Sequence, residues 1–211
     1  MPNKVDKQMN SDTESLILKA AEHEFMTKGF AGARTTSIAE AAGVTHAMFH
    51  YYFRTKEKLF ERIVSEKISM LESVFFKSIE DNDLPLDEMI RNIINYHLDF
   101  VAANPDLPRF LICELFQNPE RDAIVKRQIS TYAPVFLTLL QKKIDKAAAS
   151  GMCRRVDASM LMLDIASLNV FPYVASPIVN AALDRCLDDG ALFLELRKKE
   201  NFDTIMRKLK S

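Results

Sequence analysis

Hydrogen-bonding side chains are concentrated in one stretch, residues 34–58, which reads RTTSIAEAAGVTHAMFHYYFRTKEK. Thr45, His46 and Ala47 stand at the start of a short segment whose apolar residues have helical spacing. Their hydroxyl, imidazole and methyl groups suit base edges, which present donors, acceptors and the thymine methyl group. Lys56 follows shortly afterwards and can hold a phosphate. These residue types favour noncovalent recognition of DNA.

Two predicted short helices position these side chains. The hydroxyl groups of residues 35–37 can cap the first helix, and that of Thr45 can cap the second. Gly43 is expected to end the first helix, because glycine takes the left-handed conformation at little cost. Phe49 and Phe53 are expected to face the core. The pattern predicts a helix-turn-helix, at about residues 34–53, whose second helix lies in the major groove.

Three segments of the chain carry a family resemblance: ILKAAEHEFMTKGF, SIAEAAGVTHAMFHYYF and RTKEKLFERI. They match an alanine-rich helix ending in Gly-aromatic, then I-A-x-x-A-G-V-[ST], then a short helix ending in Tyr-Phe, then Lys-Glu-x-Leu. In this combination the chain resembles the tetracycline-repressor (TetR) family of bacterial transcription regulators. The resemblance covers the N-terminal part of the chain, and the remainder matches by length and helical character alone.

The chain departs from the family pattern at two places. Ala47-Met48-Phe49-His50 stands where the family commonly has Gly-Thr-Leu-Tyr. That tyrosine usually touches a DNA phosphate, so the resemblance implies that His50 either lacks this contact or makes it depend on pH. Arg34 stands where a serine or threonine often begins the second helix, so the start of that helix is expected to shift by a residue.

The residues predicted to contact DNA divide by role. The start of the reading helix faces the base edges, and the first turn of the preceding helix holds phosphates together with Arg34 and Lys56. The predicted set is Arg34, Thr35, Thr36, Thr45, His46, Ala47, His50, Tyr51, Tyr52 and Lys56. The alternative is an ordinary helical pair in an all-α protein, and Tyr52-Phe53, Lys56 and the alanine-rich first helix argue against it. A helical interaction module that does not bind DNA would leave Thr45, His46 and Lys56 without a role.

Composition limits the class of protein. The chain has 211 residues, a formal net charge of −1 and 48% hydrophobic residues, so a sizeable core is available and a generic polyanion binder is disfavoured. Residues 28–58 nevertheless contain five Lys or Arg against two acidic residues. No apolar run approaches the ~20 residues that cross a bilayer. The three cysteines have no metal-ligand spacing, so we expect them to be reduced thiols. With the lack of a membrane-spanning run, this predicts a cytoplasmic location and no membrane association.

Helical periodicity predicts an all-α fold of about nine helices in two domains. Residues 1–58 are the predicted helix-turn-helix DNA-binding domain, a head of three helices. Residues 59–211 are the predicted helical effector-binding and dimerisation domain. The expected helices of the second domain occupy 86–103, 108–116, 119–149, 157–175 and 190–209.

Several helix limits are also predicted. After a flexible leader, residues 1–10, a capping box of Ser11 and Glu14 begins the first helix, which ends at Gly29. A long fourth helix extends from residue 57 to about residue 81. Pro134 is expected to kink or break the helix that contains it.

The resemblance implies two properties of the second domain. Such proteins dimerise through their last two long helices, which here are residues 157–175 and 190–209. Segment 157–175 is apolar nearly all round, so its alternative role is a central core helix of one subunit. The resemblance also implies a pocket for a small apolar or amphipathic effector. The polar and aromatic candidates for that pocket are Tyr96, His97, Phe100, Glu114, Tyr132 and Asn169.

Enzyme signatures are missing from the sequence. It contains no Gly-rich phosphate loop, no nucleophile elbow and no clustered carboxylates with a partner histidine. His46 and His50 have a spacing that can bind a metal, but DNA contact explains them better. We therefore predict no catalytic residue, no metal and no cofactor. The predicted function is a dimeric repressor that binds palindromic operator DNA and is released by an effector. An activator, or a helical interaction module without an effector, is the alternative.

Overall fold

A computed structural model describes residues 4–81, 83–117, 119–183 and 189–210. These residues form ten helices and no strand. The helices are α1 (Lys4–Gly32), α2 (Thr35–Ala41), α3 (His46–Phe53), α4 (Lys56–Ser78), α5 (Leu86–Ala103), α6 (Leu107–Gln117), α7 (Pro119–Ala149), α8 (Ala158–Val174), α9 (Ser176–Ala182) and α10 (Gly190–Leu209). The predicted all-α fold is confirmed. The helix missing from the prediction is α9, which follows α8 after one residue.

The chain forms two compact units, and none of the three places where it passes from one to the other coincides with the predicted domain boundary at residue 58. The first unit comprises Met1–Lys67 and Phe110–Val125, and the second comprises Ile68–Arg109 and Lys126–Ser211. The division into a DNA-binding domain of residues 1–58 and an effector domain of residues 59–211 therefore stays a prediction.

The core of the first unit is built on apolar faces of short helices. α1 packs against α2, and α2 packs against α3. Ile17, Phe25, Ile38 and Phe49 are each 0% exposed. Phe25 also lies in an aromatic cluster, with its ring 5.7 Å from that of Phe60 in an edge-on arrangement. Burial of these rings holds α3 against the rest of the unit.

The first helix differs from its prediction at its start. α1 begins at Lys4, so the predicted start at Ser11 and the predicted flexible leader are wrong for residues 4–10. These residues contain neither glycine nor proline, and therefore nothing in them stops the helix. Gly29 has φ 67° and ψ 172°, which interrupts the helical backbone where an end was predicted. The chain then completes another turn before the helix ends at Gly32.

The second unit is organised around α5. Its apolar face is fully buried, and α5 packs against both α8 and α10. α8 also packs against α10 and α9. α7 continues through Pro134, so the helix does not break there, and the alternative of a kink at Pro134 stays a prediction. The buried face of α5 consists of Met89, Ile90, Ile93, Ile94, His97, Leu98 and Val101.

Two further sequence expectations can be compared with the described residues. No single helix among them has the length and apolarity to span a bilayer, although α8 and α9 together, bent by 80°, meet that test of length and composition. Cys113 is an exposed free thiol and Cys153 a buried one. Cys186 lies outside the described residues.

Candidate functional site

The turn between α2 and α3 has the glycine geometry that the sequence predicts. α2 ends at Ala41, and Gly43 has φ 67°. The Val44 amide donates to the Ala39 carbonyl at 3.0 Å, which closes the end of α2. The Thr45 hydroxyl accepts a hydrogen bond from the Met48 amide at 3.2 Å and caps α3. The predicted turn and the predicted cap of the second helix are therefore both present.

The start of α2 differs from its prediction. The N-cap residue is Arg34, whose φ of −120° and ψ of 131° are extended, and no side chain caps this helix. The predicted cap within residues 35–37 is wrong, because those residues already lie in α2. The Thr35 hydroxyl lies 3.2 Å from His46 Nε2 instead, a hydrogen bond that links the first turns of α2 and α3.

α3 separates an apolar face from a hydrogen-bonding face. Phe49 is 0% exposed and Phe53 is 7% exposed, as predicted. Tyr51 is 74% exposed, and Tyr52 is half-buried. The other exposed residues of α3 and its N-cap are Thr45, His46, Ala47, Met48 and His50. A short helix that buries two phenylalanines and exposes donors and acceptors can be inserted into a groove of DNA.

Two histidines lie together on the exposed face of α3. The ring centroids of His46 and His50 are 4.4 Å apart, in a perpendicular arrangement. His50 Nδ1 lies 2.9 Å from the Arg54 carbonyl oxygen. A carbonyl oxygen can only accept, so Nδ1 carries the proton, and in the neutral ring Nε2 is an acceptor. Arg54, the residue that ends α3, has φ 54°, a positive value that is uncommon for a residue other than glycine.

Lys56 is largely occupied by its own chain. Its Nζ donates to the Phe30 carbonyl at 2.9 Å and to the Ala33 carbonyl at 3.0 Å. The same ammonium lies 4.5 Å from the centroid of the Phe30 ring. These carbonyls lie at the end of α1, where a cation is favoured. Lys56 therefore holds α1 to α4, and one of its three N–H groups remains for a phosphate.

The buried carboxylate of Glu24 holds the backbone at the N-terminal end of α2. Glu24 is 8% exposed, and its Oε1 accepts from Lys28 Nζ at 2.9 Å and from the Arg34 amide at 3.3 Å. Burial raises the pKa of this carboxyl. The two hydrogen bonds and the charge of Lys28 lower it by a larger amount, so the pKa lies below its ordinary value. The ionised Glu24 thereby positions the backbone from which the Arg34 side chain extends.

Sequence reasoning omitted two exposed residues beside the predicted set. Met48 is 40% exposed on α3, and Arg54 is exposed directly after this helix. Arginine is a common phosphate ligand. The position of Arg54 immediately after Tyr52-Phe53 was a signal available in the sequence. Arg34 and Thr36 are also exposed, and Thr35 is half-buried.

Two of the predicted effector residues are joined in a buried network of the second unit. The Asn169 amide donates to the Ile94 carbonyl at 3.1 Å and lies 3.2 Å from His97 Nδ1. Asn201 donates to Asn169 Oδ1 at 2.7 Å. Burial lowers the pKa of His97 to about 4, so the ring is neutral at pH 7. Asn169 thus has both its donors and its acceptor occupied within the core.

The other predicted effector residues are dispersed. Phe75 brings His97 and Tyr132 near each other, with ring centroids 5.3 Å and 6.5 Å from its own. Burial, and then the charge of Glu72, raises the pKa of Tyr132 to about 12. Tyr96 and Phe100 are half-buried on α5.

Glu114 belongs to the first unit, apart from the other five predicted effector residues. Its Oε1 accepts from the Phe30 amide at 2.8 Å. The same oxygen would lie 3.3 Å from a Cβ added at Gly29. Glu114 therefore stabilises the interrupted part of α1.

Comparison with known sequences agrees with this geometry. The family model described as "Bacterial regulatory proteins, tetR family" matches residues 17–63, which extend from the second half of α1 to the first turns of α4. The HTH-type transcriptional regulator YdgC of Bacillus subtilis is 25% identical over 123 residues, covering 57% of this chain and 62% of that protein. The HTH-type transcriptional repressor NicS of Pseudomonas putida is 32% identical over 117 residues, covering 52% and 51%. The chain thus matches less than two thirds of the length of either relative.

A solved structure has a similar fold over most of the chain. The transcriptional regulator FadR from Bacillus subtilis, in complex with stearoyl-CoA, superposes with a TM-score of 0.68 and 18% sequence identity. The superposition covers 92% of this chain and 98% of that one. The similarity of fold thus extends beyond the N-terminal sequence match.

Proposed function

The chain belongs to the tetR family of bacterial regulatory proteins, and from that membership we propose that it is a sequence-specific DNA-binding transcriptional regulator in the cytoplasm. The observation that carries the proposal is the two-sided character of α3. Its phenylalanines are buried, whereas the side chains at its start are exposed and able to form hydrogen bonds. That is the arrangement of a helix which reads the major groove.

The proposed base contacts come from Thr45, His46 and Ala47. His46 Nε2 is engaged with Thr35, so Nδ1 is the nitrogen available to a base edge. The Ala47 methyl group suits contact with a thymine methyl group. The Thr45 hydroxyl already accepts from Met48, and its proton remains available for donation.

The proposed phosphate contacts surround this helix. They orient the protein on the duplex without reading its sequence. The exposed Arg34 at the N-terminus of α2 adds a charge to a helix end that already favours anions. The proposed phosphate ligands are Arg34, Thr35, Thr36, His50, Tyr51, Tyr52, Arg54 and Lys56.

A homodimer is part of the proposal. α8 buries Leu161 and Ile165, yet on its other side Met160, Leu163 and Phe171 are 53%, 58% and 62% exposed. This row of apolar side chains is an exposed patch of the kind that marks an interface. Leu192 and Leu196 at the start of α10 are 57% and 54% exposed in the same unit. Two heads about one helical turn apart are what a palindromic site requires.

A small apolar or amphipathic effector completes the proposal. The structural relative FadR was solved with stearoyl-CoA, a ligand with an apolar chain. The effector would favour a dimer whose two heads no longer match half-sites one turn apart, and DNA would be released. α4 extends from residue 56 to residue 78 and is the proposed element through which this change is transmitted.

The proposal is tested by selecting bound fragments from random duplex DNA with the purified chain. We expect an enriched palindrome with half-sites about one helical turn apart. The His46→Ala variant should lose preference at one position of each half-site. The matched control is His23→Ala, an exposed histidine of α1, which should leave the motif unchanged. If no motif is enriched even at low salt, the chain is not a sequence-specific reader.

A further inference from the structure

A groove of about 1020 Å³ lies in the second unit between the end of α4 and the second half of α7. Its volume is at the upper end of the range of ligand sites in proteins. None of the predicted effector residues lines it. The groove is therefore a site that the helix-turn-helix and the buried His97 network leave unexplained.

Lysines line one wall of this groove. Lys142, Lys143 and Lys146 follow Leu139 on α7 at spacings that place all four residues on one helix face. Lys142 and Lys146 are exposed and form no ion pair with any described residue. The occurrence of three lysines within residues 142–146 is the sequence pattern that could have indicated this wall of the groove.

The opposite wall supplies a fourth lysine and both acidic residues. Lys77 on α4 lines the groove, and its ammonium lies 5.2 Å from the centroid of the Tyr96 ring. Glu80 and Asp83 also line the groove. Four lysines against two carboxylates leave a formal charge of +2 in the groove.

Between the charges the lining is apolar. Ile79 is 8% exposed, Leu139 is 40% exposed, and the half-buried Phe76 ring lies 6.1 Å from that of Phe136. Lysine stems can cover such a surface while their ammonium groups stay in water. The groove thus combines apolar contact area with an excess of cations that its own carboxylates do not balance.

We propose that this groove binds a small amphipathic acid, with its apolar part on Phe76, Ile79 and Leu139 and its anionic group on Lys142 and Lys146. The inference rests on the proposed effector function and names the chemical class of the effector. A polyanion such as nucleic acid fits less well, because Glu80 and Asp83 at the groove would repel its further phosphates. A neutral apolar ligand would leave the lysines without a role.

Three probes with the same twelve-carbon chain separate these chemistries: dodecanoate, dodecyl phosphate and dodecanol. Binding to the full chain is measured by displacement of the fluorescent anion 8-anilinonaphthalene-1-sulfonate. We expect at least one of the two acids to bind roughly tenfold more tightly than the alcohol, and the advantage to shrink as salt is raised. Comparison of carboxylate with phosphate identifies the preferred anionic group. Equal affinity for the alcohol and both acids would overturn the proposal.

Matched variants locate the binding. Lys142→Gln combined with Lys146→Gln should remove most of the tenfold advantage and leave dodecanol binding unchanged. Lys142→Arg combined with Lys146→Arg keeps both charges and should retain the advantage. Both changes are at exposed positions, so the helical circular dichroism signal should match the parent. Unaltered acid binding by the Gln variant would place the acid elsewhere and overturn the assignment.

A separate measurement distinguishes this site from the proposed function. The affinity for the selected DNA fragment is measured with and without the acid that binds. Acid binding together with DNA release supports both proposals. If the acid binds through Lys142 and Lys146 but the DNA complex persists, the groove assignment stands and release by this effector is wrong. If a short duplex displaces the fluorescent anion through the same lysines, the groove is a nucleic-acid surface and the assignment is wrong.

Discussion

His97 shows how a single buried side chain ties stability to pH. It is 4% exposed, and its Nδ1 faces the Asn169 amide at 3.2 Å. Protonation would place a charge in the core and two donors opposite one another. Its folded-state pKa of about 4 therefore lies below the ordinary value near 6.5 that the unfolded chain has.

We predict that the folded state loses stability on acidification because of His97. The contribution is fully present above about pH 6.5 and is lost as pH falls toward 4, since the unfolded chain binds the proton first. At pH 5 the loss is about 2 kcal/mol. Urea unfolding at pH 7.5 and pH 5 measures it. His97→Gln should reduce the pH dependence, whereas the exposed His23→Gln should keep it; an equal slope in all three proteins would contradict the prediction.

A second histidine bears on DNA affinity through its tautomer. In neutral His50 the proton is on Nδ1, held by the Arg54 carbonyl, so Nε2 cannot donate to a phosphate. We predict that His50→Tyr, which replaces this acceptor by a hydroxyl donor, raises the affinity for the selected DNA by roughly 5- to 10-fold per head.

The measurement for His50 is fluorescence anisotropy of a labelled duplex at one fixed pH and ionic strength. His50→Phe keeps an aromatic ring but offers no donor, so its affinity should not rise above that of the parent. His46 is retained in all three proteins, so the difference between them isolates His50. Equal affinity of the Tyr and Phe variants would rule out a phosphate contact from this side chain.

At the scale of the elements, the turn before α3 depends on one backbone conformation. Gly43 has φ 67°, and a Cβ added there would meet nothing within 4 Å. The cost of a side chain at this position is therefore the left-handed backbone alone. Gly190 also has open space around its Cβ position, but it has no positive φ.

We predict that Gly43→Ala lowers the free energy of unfolding by about 1 kcal/mol, because a residue with a Cβ resists the left-handed region. The matched control, Gly190→Ala in the first turn of α10, should be neutral or slightly stabilising, since alanine is the better helix former. Chemical denaturation of the three proteins measures the difference. Equal stability of the two variants would mean that the turn does not require the glycine conformation.

At the scale of the whole molecule, the exposed row on α8 carries the proposed dimer. A carboxylate placed in such an interface is desolvated and meets its own symmetry copy. We predict that Leu163→Glu combined with Phe171→Glu weakens self-association by at least about a hundredfold. Sedimentation equilibrium at micromolar concentration measures it.

The control for the dimer prediction is Met152→Glu. Met152 is 74% exposed between α7 and α8, off the α8 row, so its change should leave the oligomeric state unaltered. A monomeric parent protein would contradict the proposed dimer directly. A dimer that persists in the double Glu variant would move the interface away from α8.

The sequence by itself determined the features that rest on neighbouring residues. The apolar periodicity of α5 and α10 places both helices at their observed limits. The glycine turn, the Thr45 cap and the buried faces of Phe49 and Phe53 follow from residues within about four positions of one another. The turn before α3 and the two faces of α3 are therefore predictable from local sequence alone.

The tertiary structure alone decided the contacts that join distant parts of the chain. Lys56 bonds the end of α1 from 26 residues away, and Glu114 bonds the Phe30 amide from 84 residues away. In the sequence these side chains look like any exposed lysine or glutamate, because local pattern carries no information about which carbonyl or amide will face them. The lysine-lined groove has the same origin, since its two walls meet only when α4 packs beside α7.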